Sequence, residues 1–221
     1  MKTIIISATR QKDIQNTLLY QSLIPLKSKA NFDFIFLTEN KDGLCKAYNK
    51  ALNQFKDYDA VVFVHDDVYL DDAFFVDKIE DGFSQFDIIG VAGGVNPTLK
   101  APTLWHLMCG PGNLRGSAGH FSSNKEQLHI TSFGPMPARV ALLDGVFLAV
   151  NRAKVLEAGW KFNENYDFHL YDLSSCLDAN KLKLRCGVLP IHITHLSPGL
   201  ADINNPSFVK NQNQFLKEYC S

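Results

Sequence analysis

Over the first hundred positions the hydrophobic residues come in short blocks whose period alternates. Residues 3–9 (TIIISAT) open with an unbroken apolar run, a strand signal, and residues 14–26 follow with helical spacing that Pro25 helps to end. A second strand is predicted over 32–38, where Phe32, Phe34 and Phe36 alternate with Asp33, Ile35 and Leu37. Residues 44–55 set Leu44, Ala47, Ala51, Leu52 and Phe55 on one helical stripe, with Asp42 as the expected cap. A third strand opens at Ala60, a helix is expected over 72–83, and a fourth strand over 88–92. This β-α-β-α-β-α-β order predicts an α/β fold with a mostly parallel sheet flanked by helices.

After Ala92 the pattern loosens. Residues 93–127 are rich in Gly, Pro and Ser and hold Trp105, His106 and His120 without strong periodicity, which suits a lid or binding loop. Strands are expected over 128–133, 140–150 and 184–196, a short helix over 153–158, a helix ending at residue 181, and a terminal helix over 205–219. No repeat, linker or low-complexity block divides the chain. One domain, 1–221, with sub-regions 1–92 and 93–221, is the expected organisation.

The third strand carries the strongest chemical signal. AVVFVHDDVYL (residues 60–70) is apolar enough for a central strand buried on both faces, then ends abruptly in His65-Asp66-Asp67. Carboxylates at the C-terminal end of such a strand stand where open α/β sheets keep their ligand crevices, and two close together call for a cation such as Mg²⁺ or Mn²⁺. A solvated turn capping the next helix is the plain alternative. Thr9 and Arg10 close the first strand, and Glu39 and Asn40 close the second. In a parallel sheet these ends share one edge with Asp66 and Asp67, an arrangement suited to a nucleotide and equally open to ordinary turns.

Three further positions stand out. Asp144-Gly145 interrupts the apolar run RVALLDGVFLAV; a buried acid there needs a ligand or a backbone donor, unless Gly145 makes a bend that turns Asp144 to water. Asp172 falls in the first turn of a helix, where the dipole favours its charge, as a general base or as a plain N-terminal acid. His192 and His195, three apart on a strand, point to opposite faces, so only one reaches a given metal; His195, beside Ser197-Pro198-Gly199, is the better candidate.

Composition narrows the field. Of 221 residues, 46% are hydrophobic and 20% charged, and a net charge of -1 leaves no basic footprint for nucleic acid. MKTIIISATRQKD has too short an apolar run to cross a membrane and reads as the first strand. Five cysteines without a C-x-x-C pair fit reduced, intracellular thiols and a cytoplasmic location, and form no zinc site. There is no G-x-G-x-x-G after the first strand, no P-loop, and no nucleophile elbow around Ser117 or Ser174.

Five motifs in order, GLCKAYNKAL (43–52), VVFVHDDVYL (61–70), LDGVFLAVNR (143–152), FHLYDLSSCL (168–177) and HLSPG (195–199), resemble family 2-type glycosyltransferases of the GT-A fold. More narrowly they are similar to a small bacterial glycosyltransferase-like group with a His-x-Asp-Val motif. The resemblance implies a donor half, 1–92, and an acceptor half, 93–221, with 93–127 as a lid. It implies Mn²⁺ or Mg²⁺ at Asp67 and His195, a nucleoside-diphosphate sugar (UDP first) contacted by Thr9, Arg10, Glu39 and Asp66, an acceptor hydroxyl held by Asp144, and Asp172 as base. Transfer would invert the anomeric carbon, in glycan or polysaccharide biosynthesis, with peripheral attachment to the inner membrane face open. The sequence departs from the family in having His65 at the first acidic position and Tyr171 where Glu often precedes the base. A non-catalytic nucleotide- or sugar-binding protein of the same fold is the alternative, and a nucleotidyltransferase, which lacks its Gly-rich basic loop here, ranks behind both.

Overall fold

The computed structural model describes residues 1–121, 127–196 and 202–220. The first part of the chain runs β1 (Thr3–Ala8), α1 (Leu18–Leu26), β2 (Asp33–Leu37), α2 (Leu44–Gln54), β3 (Ala60–Val64), β4 (Val68–Leu70), α3 (Phe75–Gly82) and β5 (Ile88–Gly90). The middle adds β6 (Ala92–Gly94), α4 (Trp105–Cys109), β7 (Leu114–Phe121), β8 (Leu128–Gly134), β9 (Ala138–Arg139), β10 (Leu142–Leu143) and β11 (Phe147–Asn151). It closes with α5 (Arg152–Glu157), α6 (Tyr171–Lys181), β12 (Cys186–Val188), β13 (Ile193–His195) and α7 (Pro206–Tyr219).

A seven-stranded sheet in the order β2-β1-β3-β11-β5-β12-β9 forms the backbone of the fold. β1 pairs in parallel with β2 and β3, and β5 with β12, whereas β11 lies antiparallel between β3 and β5. Five strands therefore point one way, and β11 and β9 the other. The alternating pattern of the first hundred residues predicts an uninterrupted parallel run through β5; instead the apolar run after Asp144 inserts between its third and fourth strands. Every residue of β3 is fully buried, as its continuous Val-rich sequence requires.

A second sheet has the order β10-β6-β7-β13-β4, with β8 paired antiparallel to β7 off this path. Within the stretch 93–127, expected as a loop, the described residues supply most of β6 and all of β7 to this sheet, with α4 between them. The alternation there is masked by glycines that close packing requires: a Cβ at Gly116, where φ is +100°, would stand 2.1 Å from the Val91 carbonyl. Two long strands expected from periodicity are each divided. Residues 140–150 break at Asp144-Gly145 into β10 and β11, and residues 184–196 break at Pro190, which has no N–H to donate, into β12 and β13 of different sheets. Asp42 does not cap α2. Gly43, at φ +80°, takes the cap position, and the Leu44 N–H is satisfied by the Asp167 carbonyl at 2.7 Å.

Candidate active site

β3 carries the chain to the floor of a cavity of about 800 Å³. Past Val64 the His65 N–H still bonds to the Val146 carbonyl (3.1 Å), and the chain then turns, Val68 N–H to His65 carbonyl (3.3 Å), into β4. β13 runs antiparallel to β4 with His195 opposite Val68, and the Leu196 N–H donates to the Asp67 carbonyl at 2.9 Å. This pairing brings His65, Asp67 and His195 together, with one potential ligand atom from each within 4.8 Å of the others.

These residues suit a divalent metal. His195 Nε2 stands 3.2 Å from Asp67 Oδ1, but out of line for a hydrogen bond, so that carboxylate oxygen is buried with no donor. Such an oxygen is costly unless a cation reaches it. Burial favours the neutral form of each group, yet for Asp67 the neighbouring His195 and His65 outweigh it and hold the carboxyl below its ordinary range. For His195 burial is likewise outweighed, by Asp67, and its pKa is raised. One carboxylate and two imidazoles form a borderline donor set suited to Mn²⁺, with room for further oxygen ligands from the cavity.

His65 joins this group beside Asp67 and His195, the two ligands that the resemblance implies. Its spacing, two residues before Asp67 at a strand end, is the signal that marks it. Tyr171 fixes its protonation. The Tyr171 hydroxyl donates to the Gly145 carbonyl (2.7 Å), so toward His65 Nε2, 3.0 Å away, it accepts. Nε2 is then the protonated nitrogen, Nδ1 keeps the free lone pair, and burial holds the ring below its usual pKa and hence neutral. Outer-shell partners of this kind are worth about 10–100-fold in metal affinity, so Tyr171→Phe is expected to weaken Mn²⁺ binding by that factor without unfolding the protein. Calorimetric titration checks it, and unchanged affinity would remove Tyr171 from this role.

Asp144 and Asp172 line the same cavity as Asp67 and His195. Asp144 accepts from Trp105 Nε1 (2.7 Å) and from the Val146 N–H (2.9 Å), one bond on each oxygen. Asp172 accepts from the Gly145 N–H and the Leu173 N–H, both at 2.9 Å. Burial, then the charge of Asp144, raises its pKa to about 7. A carboxyl so far above its ordinary 3.8 is strained in its charged form as the pH rises through neutrality, a condition typical of a proton acceptor held for function. Leu170, at φ +59°, starts α6 in the left-handed region and aims Tyr171 and Asp172 inward.

Gly145 is required by contact. A Cβ there would meet the Tyr171 hydroxyl at 2.4 Å and Asp172 Cβ at 2.9 Å. Gly145→Ala is therefore expected to cost about 1–3 kcal/mol of stability, read from a urea melt, and to displace both side chains. An unaltered midpoint would mean that the site relaxes freely.

The four candidates for nucleotide contact stand outside this cavity, along the adjoining strand ends. Thr9 Oγ1 donates to Asp66 Oδ2 at 2.5 Å. Arg10 and Glu39 are exposed, and Glu39 has φ +52°. The loops after β1 and β2 are tied together by Asn40 N–H to Thr9 carbonyl (3.0 Å) and Glu39 N–H to Gln11 carbonyl (3.4 Å). Ser197, Pro198 and Gly199 lie outside the described residues.

Mixed sheets flanked by helices, with an acidic strand end over a cavity, make an α/β fold whose solved neighbours are of the GT-A type. Residues 3–219 match the profile of a glycosyltransferase-like family, to which the chain belongs. A protein from Fuscovulum blasticum, named ATP synthase subunits region ORF 6, is 24% identical over 86% of this chain and 80% of its own. Among solved structures, GalNAc-T7 with UDP, GalNAc and Mn²⁺ aligns with a TM-score of 0.56 at 9% identity, over 98% of this chain and 48% of that one. A Drosophila β1,4-galactosyltransferase 7 mutant with manganese, UDP-Gal and xylobiose gives 0.51 at 9% identity, over 85% and 65%. A protein of STIV gives 0.52 at 14% identity, over 93% and 100%. This chain thus spans about half of the GalNAc-T7 chain.

Proposed function

We propose that the protein transfers a sugar from a nucleoside-diphosphate sugar, UDP-linked in the first instance, to a hydroxyl acceptor with inversion at the anomeric carbon. The observation that carries this reading is the meeting of His65, Asp67 and His195 with Asp144 and Asp172 in one cavity at the ends of the donor-side strands. The GT-A neighbours with UDP and manganese support the choice of donor and metal.

Asp67, His195 and His65 would hold Mn²⁺ or Mg²⁺, whose charge stabilises the departing nucleoside diphosphate. Thr9, Arg10, Glu39 and Asp66 flank the nucleotide along the strand ends. Asp144, its oxygens fixed by Trp105 and Val146, retains a lone pair on each to accept from the acceptor hydroxyl and orient it. Asp172 takes the hydroxyl proton as the oxygen attacks the anomeric carbon from the face opposite the diphosphate, and the bond to the diphosphate breaks. The part of the wall made by Leu104, Trp105, His106, Leu114 and His120 excludes water that would hydrolyse the donor. The proposed setting is glycan or polysaccharide synthesis in the cytoplasm, with peripheral membrane association open; among the described residues no helix is long and apolar enough to cross a membrane.

Calorimetric titration of UDP, with GDP alongside, in Mn²⁺ and then in EDTA tests this directly. Binding that disappears with EDTA is the expected result. Failure of both nucleotides to bind in Mn²⁺ would sink the proposal.

A further inference from the structure

We infer that the acceptor side of the cavity is built for an uncharged hydroxyl acceptor with an apolar aglycone, an alkyl or aryl glycoside, and against a phosphorylated one. This deepens the glycosyltransferase reading and rests on it. The residues proposed for nucleotide contact stand outside the chamber, so its volume of about 800 Å³ serves the diphosphate at the metal group, the transferring sugar and the acceptor.

Charge excludes one class of acceptor. Among the described lining residues there is no Lys or Arg, while Asp67, Asp144, Asp172 and Asp202 are all present. His106 and His169 also line the chamber, and burial lowers the pKa of both, so neither offers a cation at neutral pH. The metal group is committed to the donor diphosphate. A second phosphate entering here would give up its hydration facing carboxylates, with no counter-charge left to compensate it.

Apolar surface favours the other class. The apolar part of the wall is made by Leu104, Leu114, Phe133, Leu170 and Phe208. Phe168 lines the chamber yet remains 46% exposed, which puts it at the rim, its ring stacked toward His65 at 6.0 Å between centroids. Trp105 packs edge-on against Phe133 with centroids 5.1 Å apart, and its N–H is already spent on Asp144. What these rings have left to offer a ligand is apolar area. A sugar hydroxyl held at Asp144 and Asp172 would leave its aglycone against this wall, where covering a phenyl or hexyl group is worth roughly tenfold or more in Kd.

The test is calorimetry on the full chain with methyl, phenyl and hexyl glycosides of glucose, galactose and N-acetylglucosamine, and with the corresponding hexose 1-phosphates. Each is titrated in EDTA and again with UDP and Mn²⁺. For at least one sugar the phenyl or hexyl glycoside is expected to bind at least about tenfold tighter than the methyl one, with the phosphate weakest. The phenyl and hexyl arms separate an aromatic from a lipid-like aglycone. Phe168→Ser, at an exposed rim position that does not support the core, is expected to reduce the preference severalfold in a protein that melts normally. Equal affinity for methyl and apolar glycosides, no binding of any apolar glycoside, or tighter binding of a phosphate would each overturn the inference. Metal-dependent UDP binding without an aglycone preference defeats this inference alone. An aglycone preference without UDP binding or sugar transfer defeats the enzymatic reading alone.

Discussion

Asp67→Asn is expected to leave the fold intact and abolish metal-assisted UDP binding. Oδ1 of Asp67 is the buried, unpartnered oxygen of the His65–Asp67–His195 group, and an amide in its place lacks the charge that a divalent ion requires. Since outer-shell partners alone account for about 10–100-fold in metal affinity, losing a ligand should cost upward of roughly 100-fold. The fold is spared because the structural hydrogen bond at this residue is made by its main-chain carbonyl to the Leu196 N–H, which the substitution leaves in place. Calorimetry with Mn²⁺, with circular dichroism as the control, reads both halves of the expectation. Undiminished manganese-dependent binding by a folded variant would refute the metal assignment.

Asp172→Asn should separate chemistry from binding. Removing a positioned general base typically costs about 10²–10⁴-fold in rate, so kcat should fall within that range while UDP affinity stays near that of the parent. The parent should also show a pH signature. Only ionised Asp172 accepts a proton, and burial with the Asp144 charge sets its pKa at about 7, so activity should rise with pH through neutrality and level off above it. In Asp172→Asn the residual rate should lose that rise. A variant with full activity would remove Asp172 as the base, whereas a parent that binds UDP without transferring sugar would return the protein to the alternative of a binding protein that shares the fold.

Much of this site was legible in the sequence because its parts are local. The run AVVFV followed at once by a histidine and two acids fixes both a buried strand and what it delivers, and Asp144 breaking an apolar run marks a polar group with work to do. What was not legible depends on pairing between distant segments. The pattern over 140–150 identifies an apolar strand, but nothing in its period says that it lies between β3 and β5. His195 could be preferred to His192 from the end of its strand. That it meets Asp67 follows only from the β13–β4 register. The role of Tyr171 was hidden for the same reason, since Gly145 and His65 reach it from two other elements. The Trp105–Asp144 bond likewise joins residues 39 positions apart, through a region whose glycines hide its strands.

The antiparallel strand β11 also constrains how the protein comes into being. When the first ninety residues have left the ribosome, β3 and β5 have each been made, but the strand that joins them has not. Until residue 151 appears, both present a bare hydrogen-bonding edge lined with Val and Ile, the condition under which a nascent chain pairs with the wrong neighbour. Closing that gap is also what carries Asp144 and Gly145 to the end of β3. The nascent chain thus acquires its most vulnerable edge early, and the step that seals the edge also begins to assemble the acid side of the cavity.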